Sequence, residues 1–368
     1  MHRILRTGAV ALLLPVAPGL AAAQQEKLPL PLTNGAAIVE ALAFQGGDRE
    51  SVHHVREAGA GGLRFTWNFI EVHENGDTVK RAHRYFEAAV DVDSARRLKG
   101  FHNQSEPEAH PGYTMHAISR SVYRRLRRGE ADSFQIMSLA HPAGAAGLAA
   151  LGLGSRRGVP VRWRGKLTPV GTGTVSFPLL VNQRRLEVPA IRVRGSFTAR
   201  HGRWEPEFLV LADSTYPLLL RWSGAFGEPG TVLQVTQVNG PGEPDSMLEE
   251  SLRRECRAEL PGVYFAFNSA ELNPASDRAI AGIALLLSRH PDWVITIEGH
   301  TDSIGSAASN LALSQRRVEA VRRGLVEAHK LDPARLPVAG HGATRPREPN
   351  ATIEGRARNR RVELVREC

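Results

Sequence analysis

Few side chains in this sequence are grouped in a way that could do covalent chemistry. His53, His54, Glu71, His73, His102 and His110 are the titratable groups that could move a proton or ligate a metal. Their spacing makes neither a His-Glu-x-x-His helix motif nor a Cys/His zinc cluster. There is no Gly-x-Ser-x-Gly turn to expose a serine nucleophile. Scattered histidines are usually surface or hydrogen-bonded residues, so the expectation is a non-enzymatic chain with no cofactor and no metal. The two cysteines, Cys256 and Cys368, exclude a disulfide-rich scaffold and any four-cysteine metal site, and leave one disulfide open. Asp302 and Arg317 supply one anion and one cation; taken alone they read as a surface pair worth under about 1 kcal/mol.

The elements that position these groups are bounded by length and composition. At 368 residues, 42% apolar and 23% charged, the chain has the size of two domains. The net charge of +9 comes mostly from arginine spread along the chain, which suits an anionic polymer or lipid head groups as well as nucleic acid. Arg3 and Arg6, the apolar run from Ala9 to Leu20 and the small residues Ala21-Ala22-Ala23 read as a secretory signal over 1–23, cleaved before Gln24. That run is shorter than the ~20 residues that span a bilayer. Export sets nucleic acid aside as a partner and makes a disulfide feasible.

After a loose lead-in at 24–35, residues 36–238 read as a mainly antiparallel β domain. Leu63, Phe65, Trp67 and Phe69 alternate with polar residues, and Asn75-Gly76 marks a hairpin turn. Similar alternation runs through 161–167 and 191–197, and shorter strands follow at 208–211, 218–222 and 232–238. Ile118, Val122 and Leu126 place a basic helix at 117–128, while 139–154 reads as a loop or small helix. One strand face is repeatedly Arg or Lys and aromatics are only 6% overall, which favours a soluble sheet over an outer-membrane barrel. Asn239 to Asp245 is turn-rich, and 239–259 reads as a linker with a short helix.

From residue 260 to 368 strand and helix alternate in the order βαβαββ, an α/β layer with a mixed sheet, so the whole chain is expected to be an α+β two-domain protein. Tyr264-Phe-Ala-Phe-Asn-Ser-Ala-Glu-Leu272, Ile297-Glu-Gly-His-Thr-Asp-Ser303, Asn310-Leu-Ala-Leu-Ser-Gln-Arg-Arg317, Gly340-His-Gly342, Pro349-Asn-Ala-Thr352 and Gly355-Arg-Ala-Arg-Asn-Arg-Arg-Val-Glu363 occur in order. On these motifs residues 264–366 resemble the OmpA-like peptidoglycan-binding domain.

The resemblance implies binding of the cell-wall stem peptide through diaminopimelate, whose free end is a zwitterion. It assigns the ammonium to Asp302 and the carboxylate to Arg317, which can take it in a two-pronged charge-assisted bond. Backbone N–H groups around Thr301 and Ser303 would add bonds, Asn310 would order the loop, Leu313 would pack beneath it, and Arg361 is the extra polar contact. Gly299, Gly340, Gly342 and Gly355 are expected to serve backbone turns. Cys256 precedes the first strand of this domain and Cys368 follows the last. If those strands are antiparallel neighbours the two cysteines meet, so a Cys256–Cys368 disulfide is expected; free thiols or pairing between chains are the alternatives.

The resulting expectation is an exported periplasmic protein, associated with cell wall and outer membrane, that binds peptidoglycan and meets an outer-membrane or lipid partner through its N-terminal domain. The alternative is an enzyme or lipid carrier in that domain with a wall tether behind it. A flagellar-type stator shares the wall-binding domain but would need a membrane-spanning helix with an intramembrane acid.

Overall fold

The computed structural model describes residues 30, 32–44, 47–72, 78–100, 107–140, 159–200, 202–225, 229–241, 244–265 and 269–368. The signal segment, residues 24–29 and 31 of the lead-in, the Asn75-Gly76 turn and most of 139–154 lie outside the described residues.

Thirteen strands form one sheet among the described residues: β1 (Ala37–Phe44), β2 (Gly47–Gly59), β3 (Gly62–Val72), β4 (Thr78–Ala88), β5 (Arg97–Lys99), β6 (Asp132–Ala140), β7 (Val159–Pro169), β8 (Val175–Val181), β9 (Arg184–Ala199), β10 (Gly202–Trp204), β11 (Glu207–Leu211), β12 (Leu219–Ser223) and β13 (Val232–Asn239). The order runs β4-β3-β2-β1-β13-β12-β11-β9-β7-β6-β5, with β10 paired to β9 and β8 bridging β9 and β13. Through that bridge β8, β9, β11, β12 and β13 close on themselves, which is how so long a sheet curls around a core instead of staying flat. Helix α1 (Ala89–Ser94) follows β4. Helix α2 (Arg120–Arg127) is capped by Ser119, whose hydroxyl accepts from Val122 N, and it buries Val122, Tyr123 and Leu126. The cap starts the helix later than the apolar spacing suggested.

Strand β2 is the element that matters for the site. Its residues alternate between two buried faces, an arrangement a strand reaches only when something covers each side. His53 and Val55 point into the N-terminal core; Asp48 and Val52 point the other way, toward the C-terminal region.

The C-terminal sheet has the order β14-β17-β15-β16, from β14 (Arg257–Glu259), β15 (Ile295–His300), β16 (Val338–Gly342) and β17 (Val362–Arg366). β15 and β16 are parallel and the other pairs antiparallel, so the sheet is mixed as expected. Helices α3 (Pro244–Arg254), α4 (Asp277–Arg289), α5 (Ala307–His329) and α6 (Ile353–Asn359) complete the region. Two expectations are corrected. The first strand is 257–259, ahead of residue 260 where the alternation was expected to begin: Gly262, at φ 78°, turns the chain out of the sheet, and Phe265 forms only an isolated bridge with Leu272. A third helix, α6, separates the last two strands, started by Thr352, whose hydroxyl accepts from Gly355 N.

The glycines also differ from expectation. Of Gly299, Gly340, Gly342 and Gly355, only Gly342 has a positive φ, 52°. Gly299 and Gly340 sit where α5 crosses the sheet: a Cβ on Gly299 would lie 2.6 Å from Val318 Cγ1, and one on Gly340 2.5 Å from Gln315 N. They permit a close helix–sheet approach.

Cys256 and Cys368 are joined, with Cα atoms 6.1 Å apart and a sequence separation of 112, beside the antiparallel pair Arg257↔Val365. Replacing both with serine is expected to lower unfolding stability by about 2–4 kcal/mol, since the bridge restricts a long loop in the unfolded chain. Urea unfolding of the variant against the oxidised wild type measures this.

Candidate functional site

β15 ends at His300, and the chain turns through Thr301 and Asp302 into α5. Ser306 caps that helix, accepting from Ser309 N at 3.1 Å. Asn310 Nδ2 donates to Ile304 O at 3.0 Å and so ties the turn to the helix, while Leu313 is buried beneath. Asp302 is 7% exposed. Its Oδ1 accepts from Ile304 N at 3.0 Å and its Oδ2 from Arg360 Nη1 at 2.7 Å.

Arg317 faces this turn from α5. Its Nε donates to Ser269 O at 3.0 Å and its guanidinium lies 4.8 Å from the centre of the Phe265 ring. Among the described residues no carboxylate pairs with it. Burial pushes Arg317 down to about 10 against the pull of Glu50, and Arg360 adds repulsion. Asp302 and Arg317 are thus brought together, with a third charged residue the sequence reading passed over. Arg360, not Arg361, reaches Asp302. Arg361 donates from Nε to Glu363 Oε1 at 2.6 Å and from Nη2 to Arg345 O at 3.3 Å, and touches the site only along the cavity wall.

The expected backbone donors are already engaged: Thr301 N donates to Gly342 O at 2.9 Å and Ser303 N to Asn350 Oδ1 at 3.1 Å. His300 is 2% exposed, and neither ring nitrogen has a hydrogen-bond partner. Burial, reinforced by Arg361, holds it down to about 4. The cavity between these groups has a volume of about 30 Å³; Glu50, Phe265, His300, Arg317, Arg360 and Arg361 are among its walls.

The OmpA family matches residues 264–360, the stretch that carries Asp302, Arg317 and Arg360. Residues 264–360 are an OmpA family domain. Outer membrane porin F of Pseudomonas aeruginosa is 43% identical over 101 residues, 27% of this chain and 29% of its own length. Peptidoglycan-binding protein ArfA of Mycobacterium tuberculosis is 37% identical over 134 residues, 36% of this chain and 41% of its own. The solved peptidoglycan-associated lipoprotein of Burkholderia pseudomallei is 34% identical, over 28% of this chain and 88% of that one, with a TM-score of 0.27. The chain therefore spans well under half of either curated relative, and the OmpA family match begins only at Tyr264.

The N-terminal histidines resolve differently. His53 joins Glu40, His116 and Tyr85 in a buried ring that no spacing rule could find, because its members come from separate segments. Glu40 Oε1 is 3.0 Å from His116 Nδ1 and its Oε2 3.4 Å from His53 Nε2; Tyr85 Oη is 3.2 Å from His53 Nδ1 and also meets His116 Nε2. Glu40, His53 and His116 could together face one metal ion. The ring is also saturated without one: an ionised Glu40 accepts from both histidines, a protonated His116 donates to Tyr85, and Tyr85 donates to a neutral His53. The charge preferences agree. Burial opposes the His116 cation, but Glu40 and then Glu87 together raise it, whereas burial and then His116 lower His53. His54, on the other face of β2, is held down to about 4 by burial and then by Arg56. His110 Nε2 lies 2.8 Å from Lys99 Nζ. His73 and His102 lie outside the described residues, as does the side chain of Glu71.

Proposed function

We propose that the OmpA family domain binds peptidoglycan non-covalently, through the zwitterionic end of diaminopimelate in the stem peptide, and so tethers an exported envelope protein to the wall. The observation that carries this reading is Arg317: a partly buried guanidinium with no carboxylate bonded to it among the described residues, near an Asp302 already fixed in place. Arg317 takes the ligand's carboxylate and Asp302 its ammonium. Asn310 holds the turn, Thr301 and Ser303 form its backbone, and Arg360 and Arg361 keep the surroundings positive. ArfA, which shares this domain, is a peptidoglycan-binding protein by name. Among the described residues no helix is long and apolar enough to cross a membrane. In this reading the N-terminal sheet meets an outer-membrane or lipid partner.

Co-sedimentation with purified diaminopimelate-type peptidoglycan tests the assignment. Arg317→Ala and Asp302→Asn are each expected to cost about 2–5 kcal/mol of binding, enough to abolish pelleting, with circular dichroism unchanged. Equal pelleting of wild type and both variants would remove the assignment.

A further inference from the structure

We propose that the N-terminal sheet holds this site shut, with Glu50 of β2 standing where the ligand's carboxylate must go. The proposal rests on the wall-binding reading above and concerns how that site is regulated.

The exchange is visible in the charges. Arg360 Nη2 donates to Glu50 Oε1 at 2.6 Å, and its Nη1 donates to Asp48 Oδ2 at 3.2 Å and to Asp302 Oδ2 at 2.7 Å. Arg356 grips Asp48 with two parallel bonds of 2.8 and 2.9 Å, a fork geometry that fixes direction as well as distance. Glu50 also lines the cavity that Arg317 faces, and it is the strongest charge acting in favour of the Arg317 cation. One carboxylate from the N-terminal sheet therefore bonds Arg360 and acts on the Arg317 cation from the wall of the same cavity.

Space leads to the same conclusion. The room left beside Glu50 is about 30 Å³, far below the roughly 300–1,000 Å³ of a pocket that takes a small ligand. Glu50 occupies the place beside Arg317 and Arg360 that a ligand carboxylate would need. The polar atoms left over are the two unpartnered nitrogens of His300, which a ligand entering in place of Glu50 would reach.

The cover is built to come off. Its apolar seat is small: Ala37, Val39 and Val52 pack on Tyr264. Around it lie polar contacts, among them Arg185 with Glu348 at 3.5 Å, Arg358 Nη1 to Gln183 O at 3.4 Å, Asn239 Nδ2 to the Tyr264 hydroxyl at 3.4 Å, and Gln234 with Glu354. Polar interfaces of this kind separate more readily than an apolar core. Wall binding and domain docking then exclude each other, and the apparent wall affinity is the intrinsic affinity scaled by the open fraction.

The experiment uses the full chain. Wild type, Glu50→Gln, the pair Asp48→Asn with Glu50→Gln, and Glu50→Gln with Arg317→Ala are titrated against the same peptidoglycan, with thermal unfolding as the folding control. The charge-neutral variants are expected to bind about tenfold tighter than wild type, and Arg317→Ala to abolish that gain. Equal affinity of wild type and Glu50→Gln, both lost with Arg317→Ala, overturns the closure and leaves the site standing. Weaker binding by Glu50→Gln makes Glu50 a ligand contact and also overturns it. Pelleting unaffected by Arg317→Ala overturns the site and the closure together.

Discussion

Glu40→Gln is expected to lower unfolding stability by about 3–5 kcal/mol, the cost of breaking a buried ion pair by removing one partner. Glu40 is 8% exposed and His116 5%. In the wild type the carboxylate accepts from both His116 and His53. A glutamine has one acceptor oxygen and presents an N–H₂ to the second histidine. His116 must then lose its proton or stay charged with only Glu87 left to favour its cation. The pH dependence gives the check its sign. Glu40 is lowered below the usual carboxylate range because His116 and His53 outweigh burial, so its contribution is present above about 4.5 and is lost as acid protonates it. His116 is raised, so its contribution is complete below about 6.5 and fades as pH rises through its folded value. The deficit of Glu40→Gln should therefore be largest between these limits and shrink in alkaline buffer. Urea unfolding at pH 6 and pH 9 measures it. Equal deficits at both, or one below about 1 kcal/mol at pH 6, would show that the ring carries no charge.

The C-terminal region was legible because its signals are local. Strand and helix patterns alternate, and Asp302 and Arg317 each sit inside a run of residues that sets their geometry: a strand end, and the helix that returns from it. Arg360 drew less notice than Arg361 because it caps the end of α6 and Arg361 leads into β17, and nothing in two consecutive arginines says where each side chain turns. The backbone decides it: His300 N donates to Arg361 O as the chain enters β17, turning the Arg361 side chain toward Glu363 and Arg360 toward Asp302. Glu50 was out of reach for another reason. It meets Arg360 across a separation of 310 residues, and contacts that distant leave no periodic trace. The only sign in the sequence is that β2 places acids at 48 and 50 on one side, which reads as an ordinary solvated face until another domain is laid on it. The N-terminal strands were visible by alternation, but their order was not. Neither was the Glu40–His53–His116–Tyr85 ring, since its members meet only after β1, β2, β4 and the segment before α2 assemble.

Asn359→Ala is expected to cost about 3–5 kcal/mol and to remove wall binding with it. Asn359 is fully buried and uses its amide completely. Its Oδ1 accepts from Arg347 N at 2.7 Å and from Glu348 N at 3.0 Å. Its Nδ2 donates to Glu348 O at 2.8 Å and to Asn350 Oδ1 at 3.0 Å. Truncation strands several buried polar groups at once, each worth about 1–3 kcal/mol when left unsatisfied. The binding loss follows from what those bonds hold. Asn350 Oδ1 also accepts from Ser303 N, so the turn bearing Asp302 hangs on the same amide, and Arg360 is the next residue in the chain. Asn359→Asp probes the link to the turn. It keeps the acceptor for Arg347 N and Glu348 N but sets an oxygen against Glu348 O and Asn350 Oδ1, so the 347–348 backbone stays bonded while the link to Ser303 fails. The aspartate variant should therefore pellet poorly with peptidoglycan, and its buried carboxylate facing two oxygens should make it unfold at least as easily as the alanine variant. Full pelleting by Asn359→Asp would mean that the turn holds Asp302 without this link.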